Sequence, residues 1–254
     1  MLTGKRFAVF GVANERSIAW AISQALRAQG AELAFSYVNE AIEKRVRPLA
    51  KELGSDLVFK CDVQSDEDVA SYYSELSKHW GALDGIVHSV AYADKNDLHG
   101  RFHETSREGF QLALDVSCYS LIAIVKGAIP LMEKNGGSII TLSYLGAERV
   151  VPHYNVMGVA KAALESAVRY LADDLGRQNI RVNALSAGPI KTLAAAGIPQ
   201  FRELLSAFEA RAPLKRNVTL EDIAQSGLFL LSPMSSGVTG ETMYVDCGYN
   251  ITSV

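Results

Sequence analysis

Tyr154 and Lys161 carry the most pointed chemistry in this chain, in the run Tyr154-Asn155-Val156-Met157-Gly158-Val159-Ala160-Lys161. A phenol donates a hydrogen bond to a developing oxyanion, and an ammonium steadies negative charge and holds hydroxyls. Seven residues are close to two turns of helix, so the spacing predicts both side chains on one helical face, about 20° apart in azimuth. A second phenol, Tyr144, follows an apolar run that ends at Ser143. Taken singly, each tyrosine also suits a half-buried packing role with a satisfied hydroxyl.

A dinucleotide site is the natural companion of such a pair. Gly11-Val12-Ala13-Asn14-Glu15-Arg16-Ser17-Ile18-Ala19 leads from an apolar run into a helical pattern. It is not G-x-G-x-x-G, yet Gly11 permits a tight turn, Ser17 can cap the helix and donate to phosphate, and Ala19 allows close packing on a sheet. A pyrophosphate would sit at the positive end of that helix. An acid that holds a ribose 2′-OH belongs at the end of the second strand, but the position holds Val38, followed by Asn39 and Glu40, with Lys44 and Arg45 a turn further on. Neither a ribose acid nor a 2′-phosphate clamp is evident there, which points to NADH, with NADPH as the second candidate. Cys61-Asp62-Val63 supplies a carboxylate and a small apolar side chain where an adenine ring would lie, a turn or helix cap being the plain alternative for Asp62.

The elements that must position these residues alternate strand and helix, the pattern of βαβ units. Strands are expected at Arg6–Phe10, Glu32–Tyr37, Asp56–Lys60, Gly85–Ser89, Ser138–Ser143, Arg181–Ser186 and Thr242–Asp246. Helical periodicity covers Ile18–Gly30, Ala41–Leu53, Asp66–Trp80, Arg107–Met132, Val156–Leu175 and Leu220–Leu231, with Gly30 as a C-terminal stop and Asp66 and Thr219 as N-caps. The expected fold class is α/β: a doubly wound, seven-stranded parallel sheet of Rossmann type, in a single domain over residues 1–254. The Ala-rich stretch from Ala187 to Pro213, punctuated by Gly188, Pro189, Gly197 and Pro199, breaks the alternation after the sixth strand. It reads as an insertion, about residues 190–212, that lies over a bound substrate, or as an ordinary surface excursion.

Composition narrows the partners. Of 254 residues, 48% are hydrophobic and 21% charged, enough for a large core, and the net charge of −3 would not draw the chain to nucleic acid or an anionic membrane. The apolar run Phe7–Phe10 is too brief for a signal-peptide core, and no stretch approaches the ~18 uninterrupted apolar residues needed to span a bilayer. Cys61, Cys118 and Cys247 lack any CxxC spacing and read as buried small residues in a reducing cytoplasm. His99 and His103 are four apart but lack a third metal ligand, and Ser143 lacks a G-x-S-x-G elbow.

With these motifs in order, the sequence resembles the short-chain dehydrogenase/reductase superfamily and, within it, the bacterial type I enoyl-acyl carrier protein reductases. The resemblance runs through Ser17-Ile18-Ala19, Cys61-Asp62-Val63, Tyr144-Leu145-Gly146-Ala147-Glu148-Arg149, Tyr154-Asn155-Val156-Met157-Gly158, Lys161-Ala162 and Ser186-Ala187-Gly188-Pro189-Ile190, over nearly the full length. Most of the superfamily carries TGxxxGxG, an NNAG-type motif after the fourth strand, and tyrosine and lysine four apart. This chain has the Gly11 to Ala19 variant, His88-Ser89-Val90-Ala91, and the spacing of seven.

The resemblance implies a homotetramer that delivers hydride from the nicotinamide to the β-carbon of a trans-2-enoyl thioester carried on acyl carrier protein. By the same resemblance Tyr154 donates to the enolate oxygen, Lys161 holds the nicotinamide ribose, and Tyr144 orients the thioester or gates the pocket. Gly11, Ser17, Ile18, Asp62, Val63 and Val90 would contact cofactor, with Val38 at the ribose position. Ile190, Lys191, Thr192, Leu193 and Ala194 would join them around the nicotinamide. Ala93 would lie near substrate, and Leu193, Ala194, Ala195, Ile198, Phe201 and Leu205 would form an apolar lid. Ala91 departs from the glycine frequent in this family, and Pro199 and Glu203 around Arg202 thin the basic surface expected to meet an acidic carrier, with Arg211, Lys215 and Arg216 nearby. Two other readings compete. A ketone or alcohol enzyme would carry lysine at position 158, where this chain has glycine, and a non-catalytic dinucleotide sensor would not need an oxyanion donor or an apolar lid.

Overall fold

Strand β1 (Arg6–Phe10) alternates its side chains between two cores, Phe7 and Val9 entering one and Ala8 and Phe10 the other, as the two-residue period of a strand dictates. The remaining strands are β2 (Glu32–Tyr37), β3 (Val58–Lys60), β4 (Gly85–His88), β5 (Gly137–Ser143), β6 (Ile180–Ala187) and β7 (Thr242–Val245). All pairings are parallel, in the order β3-β2-β1-β4-β5-β6-β7. The structure, a computed structural model, describes residues 1–192 and 201–252.

Helices cover both faces, which is why most strands are apolar without interruption. On one side α1 (Ile18–Ala28) and α9 (Leu220–Leu231) bury Ile22, Leu26, Ile223 and Leu228. On the other, α3 (Asp66–Ser77), α6 (Ser120–Met132) and α7 (Asn155–Leu175) bury Tyr72, Leu121, Ile124 and Leu164. Each such aliphatic side chain contributes about 1.5–3 kcal/mol by leaving water. The shorter connections hold α2 (Glu40–Glu52), α4 (Lys95–Leu98) and α5 (Arg107–Leu114), and α8 (Phe201–Arg211) lies between β6 and α9.

The topology places the ligand crevice. The chain winds outward from β1 through β2 to β3, then crosses back to β4 on the other side of β1 and winds the opposite way, so the carboxyl ends of β1 and β4 form the switch point at which doubly wound sheets bind ligands.

Several expectations need correction. Ser65, not Asp66, caps α3, its hydroxyl accepting from Asp68 N–H, because the hydroxyl one residue earlier reaches the third helical amide while Asp66 stays in the first turn. Thr219 does cap α9, in a reciprocal box with Asp222. The expected Arg107–Met132 helix is broken by a π turn, Asp115–Tyr119, between α5 and α6, which periodicity cannot register because apolar spacing resumes beyond it. By length and mean hydropathy this segment is apolar enough to cross a bilayer, although Arg107, Glu108, Asp115 and Lys126 keep it from being an uninterrupted apolar run. Its apolarity has another cause: Leu121, Ile124, Val125 and Ala128 are buried in the core. Of the thiols, only Cys61 is buried, whereas Cys118 and Cys247 are half-buried, the first on the π turn and the second at a left-handed corner after β7.

Candidate active site

The Gly11 loop sits at the switch point. Gly11 has φ of +99°, and a Cβ there would overlap the carbonyl of Ser89, just beyond β4; only glycine lets the two strand ends approach so closely. Ser17 does not cap α1 as the sequence suggested. Its Oγ turns back to accept from the Ala13 and Asn14 N–H groups, each at 3.0 Å, so it closes the loop and leaves the helix's first amides facing outward. Gly11→Ala is expected to cost about 3 kcal/mol or more, from left-handed strain plus overlap, and to abolish dinucleotide binding. Thermal unfolding and an NADH titration check it; wild-type values in both would show the close approach to be dispensable.

Around this loop the other residues named for cofactor lie just beyond strand ends, apart from Ile18, which opens α1. Ile18, Val63, Val90 and Ile190 are half-buried against the cores. Asp62 follows β3, and one carboxylate oxygen accepts from Gln64 N–H, so the turn role holds for that oxygen. Val38 is 42% exposed at the end of β2, and the neighbouring Asn39 is engaged in capping α2. Beyond it, Asn14, Glu15, Lys44, Arg45, Pro48 and Leu49 line a cavity of about 390 Å³. Lys191 is exposed and Thr192 half-buried. Leu193, Ala194, Ala195 and Ile198, and the Phe201 side chain, lie outside the described residues.

These features fit a dinucleotide: a glycine cradle, a helix N-terminus free of a side-chain cap, and apolar strand ends for a flat ring.

Tyr154 is brought to the site by a mechanism that periodicity did not foresee. It does not lie on α7 but caps it, between two left-handed residues, His153 (φ +63°) and Asn155 (φ +39°). Tyr154 is therefore aimed by the corner rather than by helical pitch. Asn155 anchors that corner by donating to the Leu98 and Gly100 carbonyls at 3.2 and 3.4 Å.

The Tyr154 ring meets Tyr144 edge-on, centroids 4.8 Å apart at 68°, and lies directly over Gly146, where any Cβ would collide with it. A Cβ at Gly158 would in turn stand 2.8 Å from the Gly146 carbonyl. The lysine that a ketone or alcohol enzyme carries at position 158 would force that carbonyl to shift, and the glycine present here counts against that competing reading.

Neither phenol hydroxyl has a hydrogen-bond partner among the described residues, and that of Tyr144 is buried. A buried polar group left so is costly, and a ligand that accepts from it would relieve the cost. Burial raises both phenols above their ordinary pKa, with each other's proximity and Glu165 adding to Tyr154, and Tyr249 adding to Tyr144. Both stay protonated donors at neutral pH. Ala93, Val156 and Met157 form an apolar cluster on which Tyr154 packs, a surface suited to a hydrocarbon chain.

Lys161 is 5% exposed and donates to the Leu142 carbonyl at 2.6 Å, at the end of the strand that leads to Tyr144. Burial lowers its pKa to about 8, against the opposing pull of Cys118 and Glu165. Its other ammonium protons are available to a ligand.

Three contributors escaped the sequence reading. Glu165, four residues past Lys161 on α7, is buried and accepts from Ser143 Oγ, fixing the end of β5; burial raises its pKa, and its helical spacing from Lys161 was the available signal. His88 lies wholly inside, Nδ1 2.7 Å from Thr141 Oγ1 and Nε2 2.9 Å from Ser120 Oγ. Ser120 gives its own proton to the Val116 carbonyl at 2.6 Å, so His88 donates from Nε2 and accepts at Nδ1. Burial, aided by the Lys161 charge, lowers its pKa to about 3, keeping it neutral. Ser117 is the third.

The family model described as enoyl-(acyl carrier protein) reductase matches residues 11–250. The Rickettsia prowazekii enoyl-[acyl-carrier-protein] reductase [NADH] FabI is 51% identical over 99% of this chain and 96% of its own length. Among solved structures, the Aquifex aeolicus enoyl-[acyl-carrier-protein] reductase (NADH) has a TM-score of 0.97 at 52% identity, covering 100% of this chain and 99% of that one. The Anaplasma phagocytophilum enoyl-(acyl-carrier-protein) reductase in complex with NAD has a TM-score of 0.96 at 52% identity, covering 100% and 96%. A parallel sheet with its crevice at the β1–β4 switch point, two phenols without a hydroxyl partner among the described residues, and a buried lysine bonded to the strand that leads to Tyr144 thus coincide with similarity along the whole chain, which belongs to the enoyl-(acyl carrier protein) reductase family of the short-chain dehydrogenase/reductase superfamily.

Proposed function

We propose that this protein is the NADH-dependent enoyl-acyl carrier protein reductase of fatty acid synthesis. The observation that carries the assignment is the edge-on pair of Tyr144 and Tyr154, neither hydroxyl having a partner among the described residues, with Tyr154 packed on the cluster of Ala93, Val156 and Met157. When bound, NADH would supply the hydride that the β-carbon of a trans-2-enoyl thioester accepts. Tyr154 donates to the thioester oxygen as enolate charge develops there, a preorganised electrostatic contribution. Lys161 offers its remaining protons to the ribose hydroxyls and keeps positive charge nearby, while Tyr144 orients the thioester. The Gly11 loop and the start of α1, with Ser17 and Ile18, receive the pyrophosphate. Asp62, Val63 and Val90 border the adenosine half, and Ile190, Lys191 and Thr192 the nicotinamide half. Leu193 and Ala194 continue that stretch, within the 190–212 segment we read as the acyl-chain cover of one catalytic domain.

NADH rather than NADPH follows from charge. Lys44 and Arg45 share their cavity with the Glu15 carboxylate, which opposes a 2′-phosphate, and Val38 supplies no cation. A homotetramer is supported by apolar side chains left exposed on neighbouring helices, Phe110, Tyr119 and Ile122 on one stretch and Val159 and Tyr170 on α7. Three free thiols suit the cytoplasm.

The test is oxidation of the reduced nicotinamide, followed by absorbance with crotonyl and longer enoyl thioesters, simple ketones as controls, and NADH against NADPH. Enoyl thioesters with NADH should turn over at least about tenfold faster than any other pairing, a difference of about 1.4 kcal/mol. Ketone reduction without enoyl reduction would sink the assignment, and a mass other than four chains by light scattering would sink the tetramer.

A further inference from the structure

The π turn at Asp115–Tyr119 lies beside the site and carries Ser117, a wholly buried hydroxyl that the mechanism above does not use. A π turn inserts a residue into a helix and swings its side chains off their regular positions, a device common at functional sites. Ser117 Oγ donates to the Tyr92 carbonyl and accepts from the Tyr92 N–H, both at 3.0 Å. One side chain thus satisfies both backbone groups of a single loop residue.

That loop has little else to hold it. The last ladder bond beyond β4 is from Ser89 N–H to the Phe10 carbonyl, and among the described residues the bonds to Ser117 are the ones that fix the backbone of residues 90–93. A second link ties the π turn to the strand end, through His88, Ser120 and the Val116 carbonyl. The turn is therefore fastened on both sides of Ser89 to Ala91. Ser117 Oγ also rests 3.7 Å from Met157 Sδ, on α7 between Tyr154 and Lys161.

We propose that Ser117 is a positioning residue that clamps residues 90–93 against α7 and so sets the distance between the Ala93 wall and the Tyr154 phenol. The proposal rests on the enoyl-reductase reading for its consequence in turnover, but the clamp itself does not. Ala93, Met157 and Tyr154 meet in one cluster, so a loop displaced by about an ångström would open the seat between the Ala93 wall and the Tyr154 phenol and weaken thioester binding there.

The experiment compares wild type and Ser117→Ala as full-length protein with NADH bound, reading amide hydrogen exchange over residues 90–93 and kinetics with a crotonyl thioester. The Tyr92 amide is expected to exchange about tenfold faster in the variant, and kcat/KM to fall about tenfold with the rise mainly in KM, as two lost hydrogen bonds imply. The NADH Kd should stay within about threefold, because the Gly11 loop and Lys161 are untouched and Val90 is the one proposed cofactor contact on the loosened loop. Unchanged exchange at Tyr92 overturns the proposal, and so does a fall in kcat that merely tracks the folded fraction with KM constant. Should Ser117→Ala not fold, wild-type exchange decides, since a Tyr92 amide as fast as exposed loop amides also overturns it. Slow Tyr92 exchange in a wild type inactive on enoyl thioesters would instead defeat the functional assignment and leave the clamp standing.

Discussion

Tyr154→Phe is expected to lower kcat on enoyl thioesters by about 10²–10³-fold, the usual cost of removing one oxyanion donor, while the NADH Kd stays nearly unchanged. The Tyr154 hydroxyl has no partner among the described residues, its ring is held by Tyr144 and the bare surface of Gly146, and deleting the oxygen leaves that packing intact. Stability should therefore move by less than about 1 kcal/mol. Because its pKa lies above the ordinary phenol value through burial, the donor stays protonated across the neutral range. Steady-state kinetics with a melting curve check this, and wild-type kcat would remove Tyr154 from the reaction.

Lys161→Met should be at least as damaging to turnover, by about 10²-fold or more through weakened cofactor binding and lost positive charge, yet it should make the protein more stable. Burial lowers the ammonium from 10.5 to about 8, a penalty of about 3 kcal/mol at about 1.4 per pKa unit. The sign follows from proton counting. Between pH 8 and 10.5 the unfolded chain holds a proton that the folded protein has released, so stability rises with pH across that window, and below pH 8 the whole penalty stands. Methionine removes it but strands the Leu142 carbonyl that Lys161 now satisfies, which returns about 1 kcal/mol. A net gain of about 2 kcal/mol at pH 7 is expected by denaturant unfolding. In the wild type, kcat/KM should decline above about pH 8 as the charge is lost. A destabilised variant with normal NADH titration would contradict both halves of this account.

These two residues also mark how far the sequence could be read. The doubly wound sheet, its seven strands and the crevice were legible because apolar runs of strand length alternate with 3.6-residue periodicity, and such signals are local. The approach of Gly11 to Ser89 was half legible: glycine announced a tight turn but not the strand it nearly touches. Ser17 illustrates a local rule overridden, since a serine before a helix usually caps it, and here the loop's own amides captured the hydroxyl. The same competition placed the α3 cap at Ser65.

Residue types and spacing by themselves established the fold class, the family resemblance and the identities of Tyr144, Tyr154 and Lys161. Folding in three dimensions alone decided how Tyr154 is aimed, through left-handed His153 and Asn155 rather than helical pitch, why lysine at position 158 would force the Gly146 carbonyl to shift, and that Ser117 grips a loop 25 residues away in sequence. The reason is physical. Periodicity and turn chemistry act within a few residues, whereas desolvation of Lys161, the surroundings of two hydroxyls and the reach of a π turn depend on segments the chain brings together only once its core has closed.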